Sequence, residues 1–192
     1  MTPLPTTNGA PLVLVVPGLG GSGPDHWQTL WESLHPRHAR VEQSDWCQPN
    51  REAWLRKLEN EIVAAGEPVV LVAHSLGCAL VVHLARRSSA LPVRAALLVA
   101  PADVDSLAHT PAETRCFAPM PLEPLPYPAT VVVSRDDPFV SFERGRLFAD
   151  AWGAELVDVG SVGHINAASG LGDWPAGRDC LERLLSRVQT LT

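Results

Sequence analysis

Short apolar runs that end in turn residues recur along the chain and predict the strands of a sheet. They lie at residues 12–16, 69–72, 95–99, 130–134 and 156–159, and residues 40–44 are assigned to a further strand. Strands that are apolar on both faces are typical of a parallel sheet that is covered on both sides. We therefore expect a mainly parallel sheet of about six strands.

Stretches with helical spacing separate these strands. Trp54, Leu58 and Ile62 share one face of a helix predicted over residues 51–65, and Gly66 ends it. Four further helices are predicted at residues 24–34, 78–87, 142–152 and 176–188, with proline 24 in the first turn of the earliest one. Strands that alternate with helices indicate an α/β fold in three layers, an α/β/α sandwich.

Two segments depart from this alternation. Residues 1–10 are rich in Pro, Thr and Gly and are expected to form a flexible tail, which leaves residues 11–192 as a single domain. Residues 101–128, the proline-rich segment, contain many prolines, which remove backbone donors and interrupt helices and central strands. This segment is predicted to be a long ordered loop rather than an inserted lid domain.

Composition and charge exclude several classes of protein. The 192 residues are 46% hydrophobic with a net charge of −6 and no run of Lys or Arg, which argues against disorder, nucleic-acid binding and an anionic membrane partner. No apolar stretch approaches the length of a membrane span and the N-terminus lacks a signal-peptide pattern, so we expect a cytoplasmic protein.

The four scattered cysteines are expected to be buried free thiols. His35 and His38 have no second ligand pair at a useful spacing, so no metal site is expected.

Residues 73–77, Ala-His-Ser-Leu-Gly, join an apolar strand to a helix. A serine with small residues two before and two after it is typical of a nucleophile elbow, a sharp strand-to-helix turn. The alternative is an ordinary turn in which the serine caps the helix. The elbow interpretation predicts that Ser75 lies above the sheet and attacks a substrate carbonyl.

Side chains suited to activating such a serine follow two further strands. Asp136 and Asp137 come after the strand at 130–134, and His164 comes after the last strand. The carboxyl ends of parallel strands form the ligand-binding edge, and the chain order Ser, Asp, His is that of α/β-hydrolases. His164 is the predicted general base. Either aspartate could orient it, with Asp103 as a third option, and the residue chemistry does not separate them.

The glycine-rich loop after the first strand is predicted to help stabilise the oxyanion. Its donors are expected to be the backbone N–H groups of Leu19 and of Leu76, directly after the nucleophile. Glycines let this loop approach a substrate closely. Four residues are assigned to the substrate pocket: Gly18, Gly20, His74 and Trp46.

The same loop matches the dinucleotide-binding pattern GxGxxG over residues 18–23. In that motif the third glycine lies in the helix. Here Pro24 follows Gly23 and disfavours helical backbone angles at it, so the helix starts too late. Dinucleotide-dependent redox chemistry is the weaker hypothesis, and no cofactor is expected.

Taken together, these motifs resemble the small serine hydrolases of the α/β-hydrolase fold related to retinoblastoma-binding protein 9 and its bacterial relatives. The resemblance extends from Val15 to about Leu185 and rests on residues 17–21, 25–27, 45–49, 73–77, 134–138 and 163–164. It implies a minimal hydrolase without a lid or cofactor that acts on small esters or amides. In that family the second aspartate of the pair is the triad acid, which implies Asp137. The elbow departs from the usual pattern at Ala73, where glycine is common.

The sequence therefore predicts a carboxylesterase-like serine hydrolase with a small-molecule ester or amide substrate and an acyl intermediate on Ser75. The rival hypothesis is a protein-binding module with a hydrolase fold and little turnover. In that case the proline-rich segment would contact the protein partner.

Overall fold

Strands and helices alternate along the chain in the computed structural model, which describes residues 10–189. The strands are β1 (Leu12–Val16), β2 (His38–Arg40), β3 (Val69–His74), β4 (Val93–Val99), β5 (Ala129–Val133) and β6 (Glu155–Asp158). The α-helices are α1 (Trp27–Leu34), α2 (Arg51–Ala64), α3 (Leu76–Arg87), α4 (Phe142–Trp152) and α5 (Pro175–Gln189). The predicted N-terminal tail lies, apart from Ala10, outside the described residues.

All strands join one parallel sheet in the order β2-β1-β3-β4-β5-β6. Successive side chains of a strand point to opposite faces, so Leu71 and Val70 of β3 enter separate hydrophobic clusters. The cluster around Leu71 packs against α2, α3 and α4, and the cluster around Val70 packs against α1 and α5. The predicted three-layer α/β/α fold is confirmed.

Two predicted boundaries are wrong near the start of the chain. The second strand occupies His38–Arg40 rather than residues 40–44, and it pairs with β1 at the edge of the sheet. Its side chains are only partly buried, so hydrophobicity gave little guide to its position. Helix α1 begins at Trp27 rather than at residue 24, because Nδ1 of His26 accepts the backbone N–H of Gln28 as an N-cap at 3.2 Å.

The four cysteines are free, but only Cys78 and Cys180 are buried. Burial raises the pKa of both thiols. Cys47 and Cys116 are exposed, so the prediction of four buried thiols is wrong for these two. They lie in the connection after β2 and in a short 3-10 helix of the proline-rich segment, outside the helices and strands of the three layers.

The proline-rich segment is an ordered connection between β4 and β5. It contains a 3-10 helix, Ala112–Phe117, and buries the side chains of Phe117 and Met120 in the core. Across residues 10–189, the helices are too short or too polar to cross a membrane.

Helix α3 packs directly against the carboxyl end of β1 at Gly77. A Cβ atom there would collide with the carbonyl oxygen of Val16 and lie 2.8 Å from that of Pro17. Both contacts are backbone atoms that cannot rotate away. This close approach fixes the start of α3 relative to the sheet.

We predict that Gly77→Ala lowers the free energy of unfolding by about 1–3 kcal/mol, because an extra carbon in a closely packed region forces backbone shifts. Urea unfolding followed by tryptophan fluorescence measures the change. The matched control is Gly23→Ala, where an added Cβ meets nothing within 4 Å. The control should stay within about 0.5 kcal/mol of the wild type. Equal stability of the two variants would show that the contact at Gly77 is not constraining.

Candidate active site

Ser75 lies in the turn between β3 and α3 with φ 56° and ψ −122°. Such a backbone is sparsely populated by residues other than glycine and costs about 1–3 kcal/mol. Two backbone hydrogen bonds of 3.0 Å hold the turn. The N–H of Ser75 donates to the carbonyl of Val99, and the N–H of Cys78 donates to the carbonyl of Ser75. The Ser75 side chain makes no capping hydrogen bond, so the ordinary N-cap interpretation is wrong.

His164 forms a hydrogen-bonded pair with Asp137. Both carboxylate oxygens of Asp137 lie 2.9 Å from Nδ1 of His164, and one of them also accepts the N–H of Phe139 at 2.9 Å. The two side chains are 8% and 0% exposed, which removes them from competing water. Because a carboxylate only accepts hydrogen bonds, Nδ1 carries the proton and Nε2 keeps a free lone pair. That lone pair is what a general base needs.

The two other aspartates considered from the sequence have different partners. Oδ1 of Asp136 accepts hydrogen bonds from the Ser134 hydroxyl and from the N–H of Gly163, each at 2.8 Å. These bonds hold the pKa of Asp136 below its usual value and support the backbone directly before His164. Asp103 accepts two hydrogen bonds from Arg144, both 3.0 Å. Of the three candidates, Asp137 is the one that contacts His164.

The loop that carries His164 is anchored by two buried side chains. Nε2 of His74 donates to the carbonyl of His164 at 2.9 Å, and the indole N–H of Trp27 donates to the carbonyl of Ile165 at 2.8 Å. Ile165 itself has a positive φ of 48°. The sequence analysis did not identify Trp27 as an anchor of this loop. The available signal was that a buried indole N–H needs an acceptor.

Three imidazole rings lie side by side in this region. The ring of His74 is 4.7 Å from that of His26 on one side and 4.7 Å from that of His164 on the other, between centroids. Burial, and secondarily the neighbouring His164, lower the pKa of His26 to about 4 and that of His74 well below its usual value. Both are therefore neutral at pH 7. Among residues 10–189, no His, Cys, Asp and Glu side chains group as metal ligands.

Ser75 and His164 line one cavity of about 420 Å³. This volume is in the range of small-molecule sites, about 300–1,000 Å³. Leu19 and Leu76, the predicted oxyanion donors, line it as well. Most of the remaining wall comes from the glycine-rich loop, the proline-rich segment and the loop after His164, and the N-cap of α1, the end of β3 and the loop after β5 each add one residue. The residues are Gly21, Gly23, His26, His74, Ala102, Thr110, Pro111, Thr114, Phe139, Asn166, Ala167 and Ala168.

Of the four residues assigned to the pocket from the sequence, His74 lines the cavity but Gly18, Gly20 and Trp46 do not. A Cβ on Gly18 would lie 2.9 Å from the Leu76 nitrogen, so this glycine lets the loop close against the elbow. The N–H of Gly20 donates to the carbonyl of Trp46 at 2.8 Å. The Trp46 ring packs behind the same loop, where a Cβ on Gly21 would lie 3.3 Å from it. Trp46 therefore supports the loop rather than forming the pocket wall.

Comparisons with known proteins agree with this architecture. Residues 13–183 match the sequence model of the family described as serine hydrolase. A YdeN-like hydrolase from Pectobacterium atrosepticum is 33% identical with a TM-score of 0.82, and the alignment covers 92% of this chain and 91% of that one. The ydeN gene product of B. subtilis shares 23% identity, with a TM-score of 0.70 and coverage of 91% and 98%. A monoacylglycerol lipase from Paleococcus ferrophilus shares 14%, with a TM-score of 0.68 and coverage of 96% and 97%. The last two show likeness of fold alone, and no curated protein matches the chain.

The buried imidazoles predict that stability depends on pH. The pKa of His26 is 6.5 when unfolded and about 4 when folded, so between these values the unfolded state binds more protons. The free energy of unfolding therefore falls as the pH is lowered from 6.5 to 4. His26 contributes up to about 3 kcal/mol of this fall, at roughly 1.4 kcal/mol per pKa unit.

The variant His26→Asn retains a side-chain acceptor for the helix cap and does not titrate in this window. Urea unfolding at stepped pH should show a shallower decline for it than for the wild type, with the remaining slope due to other buried histidines. Equally steep curves for the two proteins would exclude His26 as a source of the pH dependence.

Proposed function

Because the chain belongs to the serine hydrolase family, we propose that it is a carboxylesterase-like enzyme that cleaves small ester or amide substrates through an acyl intermediate on Ser75. The observation that carries this proposal is the placement of Ser75 and the His164–Asp137 pair at one cavity. The elbow supplies a nucleophile, the pair supplies a base, and the cavity supplies space for a substrate.

In the acylation step, Oγ of Ser75 attacks the substrate carbonyl carbon while Nε2 of His164 takes the hydroxyl proton. Asp137 stabilises the resulting imidazolium through its bond to Nδ1. The tetrahedral intermediate then collapses, and His164 gives the proton to the departing alcohol or amine. In the second step, water loses a proton to His164 and attacks the acyl carbonyl carbon. The bond from this carbon to Oγ of Ser75 then breaks as His164 gives the proton to Oγ, which restores Ser75 and releases the acid.

The oxyanion of each tetrahedral intermediate is assigned to the backbone N–H groups of Leu76 and Leu19. Leu76 is the first residue of α3, where the helix dipole also favours negative charge. The proximity of Gly18 to the Leu76 nitrogen supports a shared position for the two donors. Removal of one such donor typically costs about 10²–10³ in rate.

The family and the sequence motifs, which resemble the hydrolases related to retinoblastoma-binding protein 9, support hydrolysis of small esters or amides. A structural neighbour is a monoacylglycerol lipase, which is similar in fold alone.

A fluorophosphonate probe tests the nucleophile directly, because it phosphonylates an activated serine. We expect the wild type to be labelled on Ser75 and Ser75→Ala to show no labelling. Peptide mass spectrometry locates the adduct. Labelling of the alanine variant would place the nucleophile elsewhere. Labelled wild type without hydrolysis of any small ester or amide would favour the rival binding module.

The paired aspartates offer a matched comparison. Asp137→Asn should lower kcat for a p-nitrophenyl ester by about 10⁴-fold, because an amide no longer holds the correct tautomer of the histidine. Asp136→Asn keeps an acceptor for the Gly163 N–H and should stay within about tenfold of the wild type. Equal losses in the two variants would contradict the assignment of Asp137 as the triad acid.

A further inference from the structure

We propose that the proline-rich segment forms a fixed wall of the acyl-binding pocket, positioned by Arg115, and that this wall selects substrates with an uncharged, apolar acyl group. The inference rests on the proposed function and names its substrate class. It concerns the part of the cavity that Ala102, Thr110, Pro111 and Thr114 line.

The segment reaches the cavity through Thr110, Pro111 and Thr114, which lie on either side of the start of its 3-10 helix. Thr110 and Thr114 are buried. The same wall is continuous with Ala102, at the start of the segment. A substrate group that enters the cavity beside Ser75 therefore contacts this segment.

Arg115 holds this part of the segment from within. One of its terminal nitrogens donates to the carbonyl of Val104 and, at 2.8 Å, to the hydroxyl of Thr110. The other terminal nitrogen donates to the carbonyls of Ser106 and Thr110, and both of these bonds are 2.7 Å long. All these acceptors belong to the segment itself. Charge-assisted hydrogen bonds to a planar, forked group restrict both distance and direction, so Arg115 fixes the path of residues 104–110.

Two further contacts tie the segment to the rest of the fold. Arg144 of α4 binds Asp103 by two hydrogen bonds and Asp105 by a third at 2.9 Å. Nδ1 of His109 donates to the carbonyl of Pro138 at 2.9 Å, next to Asp137. Because these two contacts and the burial of Phe117 and Met120 in the core hold the segment in place, it is a wall rather than a lid that opens.

The hydroxyl groups of Thr110 and Thr114 find their hydrogen-bond partners within the segment. The Thr110 hydroxyl lies 3.0 Å from the carbonyls of Asp103 and Ser106 and also accepts from Arg115. The Thr114 hydroxyl donates to the carbonyl of Pro111 at 2.8 Å. Neither hydroxyl is left without a partner that a substrate would have to supply.

The described residues that line the cavity also offer no charged side chain of Asp, Glu, Lys or Arg that could pair with a charged substrate group. Two histidines of the cavity, His26 and His74, are kept neutral by burial, which lowers the pKa of each. A charged acyl group would lose its hydration there without gaining an ion pair, which is unfavourable.

The experiment uses p-nitrophenyl esters with a common leaving group and different acyl groups. Acetate, butyrate and hexanoate vary the apolar length, and the monoester of adipic acid adds a carboxylate to a six-carbon chain. After subtraction of spontaneous hydrolysis, kcat/KM should fall by about 100-fold or more from hexanoate to the adipate monoester, because the carboxylate is desolvated without a partner. Equal values for these two esters would overturn the proposed selection.

Arg115→Met tests the positioning role. The ratio of kcat/KM for hexanoate to that for acetate should fall about tenfold, mainly through KM, because the wall no longer fits the chain. Arg94→Met is the matched control: Arg94 is exposed on β4 and does not line the cavity, so its ratio should equal that of the wild type. If Arg115→Met does not fold, Thr114→Leu gives the same test, since the larger side chain narrows the cavity and should lower the ratio.

An unchanged ratio in a folded Arg115→Met or Thr114→Leu protein would overturn the assignment of the wall. Failure of the proposed function has a different signature: the wild type would hydrolyse none of the esters and Ser75 would not take up the fluorophosphonate. Hydrolysis with rates independent of the acyl group would overturn this inference and leave the proposed function intact.

Discussion

The unusual backbone of Ser75 is the constraint on which the site depends. A positive φ at a serine is unfavourable, and it persists here because backbone contacts on both sides determine it. Gly77 lets α3 press against the end of β1, and Gly18 lets the glycine-rich loop close against Ser75 and Leu76. The turn therefore lies between the ends of β1, β3 and β4, and the hydroxyl is presented to the cavity instead of capping its own helix.

The second requirement is that a distant loop brings His164 to the same edge of the sheet. That loop is held by hydrogen bonds from elements far away in sequence, including His74 in the elbow and Trp27 in α1. Asp136 supports it at Gly163, while its neighbour Asp137 binds the imidazole. The two adjacent carboxylates thus have different partners, the backbone before His164 and the ring of His164. His74, the last residue of β3, links this strand to the loop that carries His164.

The fold could be predicted well from the sequence because it depends on repeated local signals. Buried parallel strands such as β1 are apolar along their whole length, and helices such as α2 show their apolar face in the spacing of residues. The edge strand β2 was misplaced because backbone pairing, rather than burial, determines its position. The start of α1 was misplaced because a histidine side chain, an uncommon N-cap, ends the preceding loop.

Sequence analysis singled out Ser75, Asp137 and His164 because reactive side chains follow strand ends, and in the structure Ser75 and His164 line one cavity while Asp137 bonds to His164. The site was not predictable where tertiary contacts decide, as for the walls of the cavity. Trp46 follows a strand end, but its ring turns behind the glycine-rich loop and packs against Trp54. The prolines of the proline-rich segment predict a loop. The residues around Arg115 do not indicate that this side chain holds the segment beside the cavity.

Catalysis through a covalent acyl group on Ser75 is the step on which the proposed function depends. Rapid acid quenching of the wild-type protein during turnover of an activated acetate ester, followed by peptide mass spectrometry, detects this group directly. We expect a transient acetyl group on the peptide that contains Ser75, formed in a burst before steady-state release. Steady turnover with no acetylated intermediate, or with acetylation confined to another peptide, would exclude acylation of Ser75 as the catalytic step.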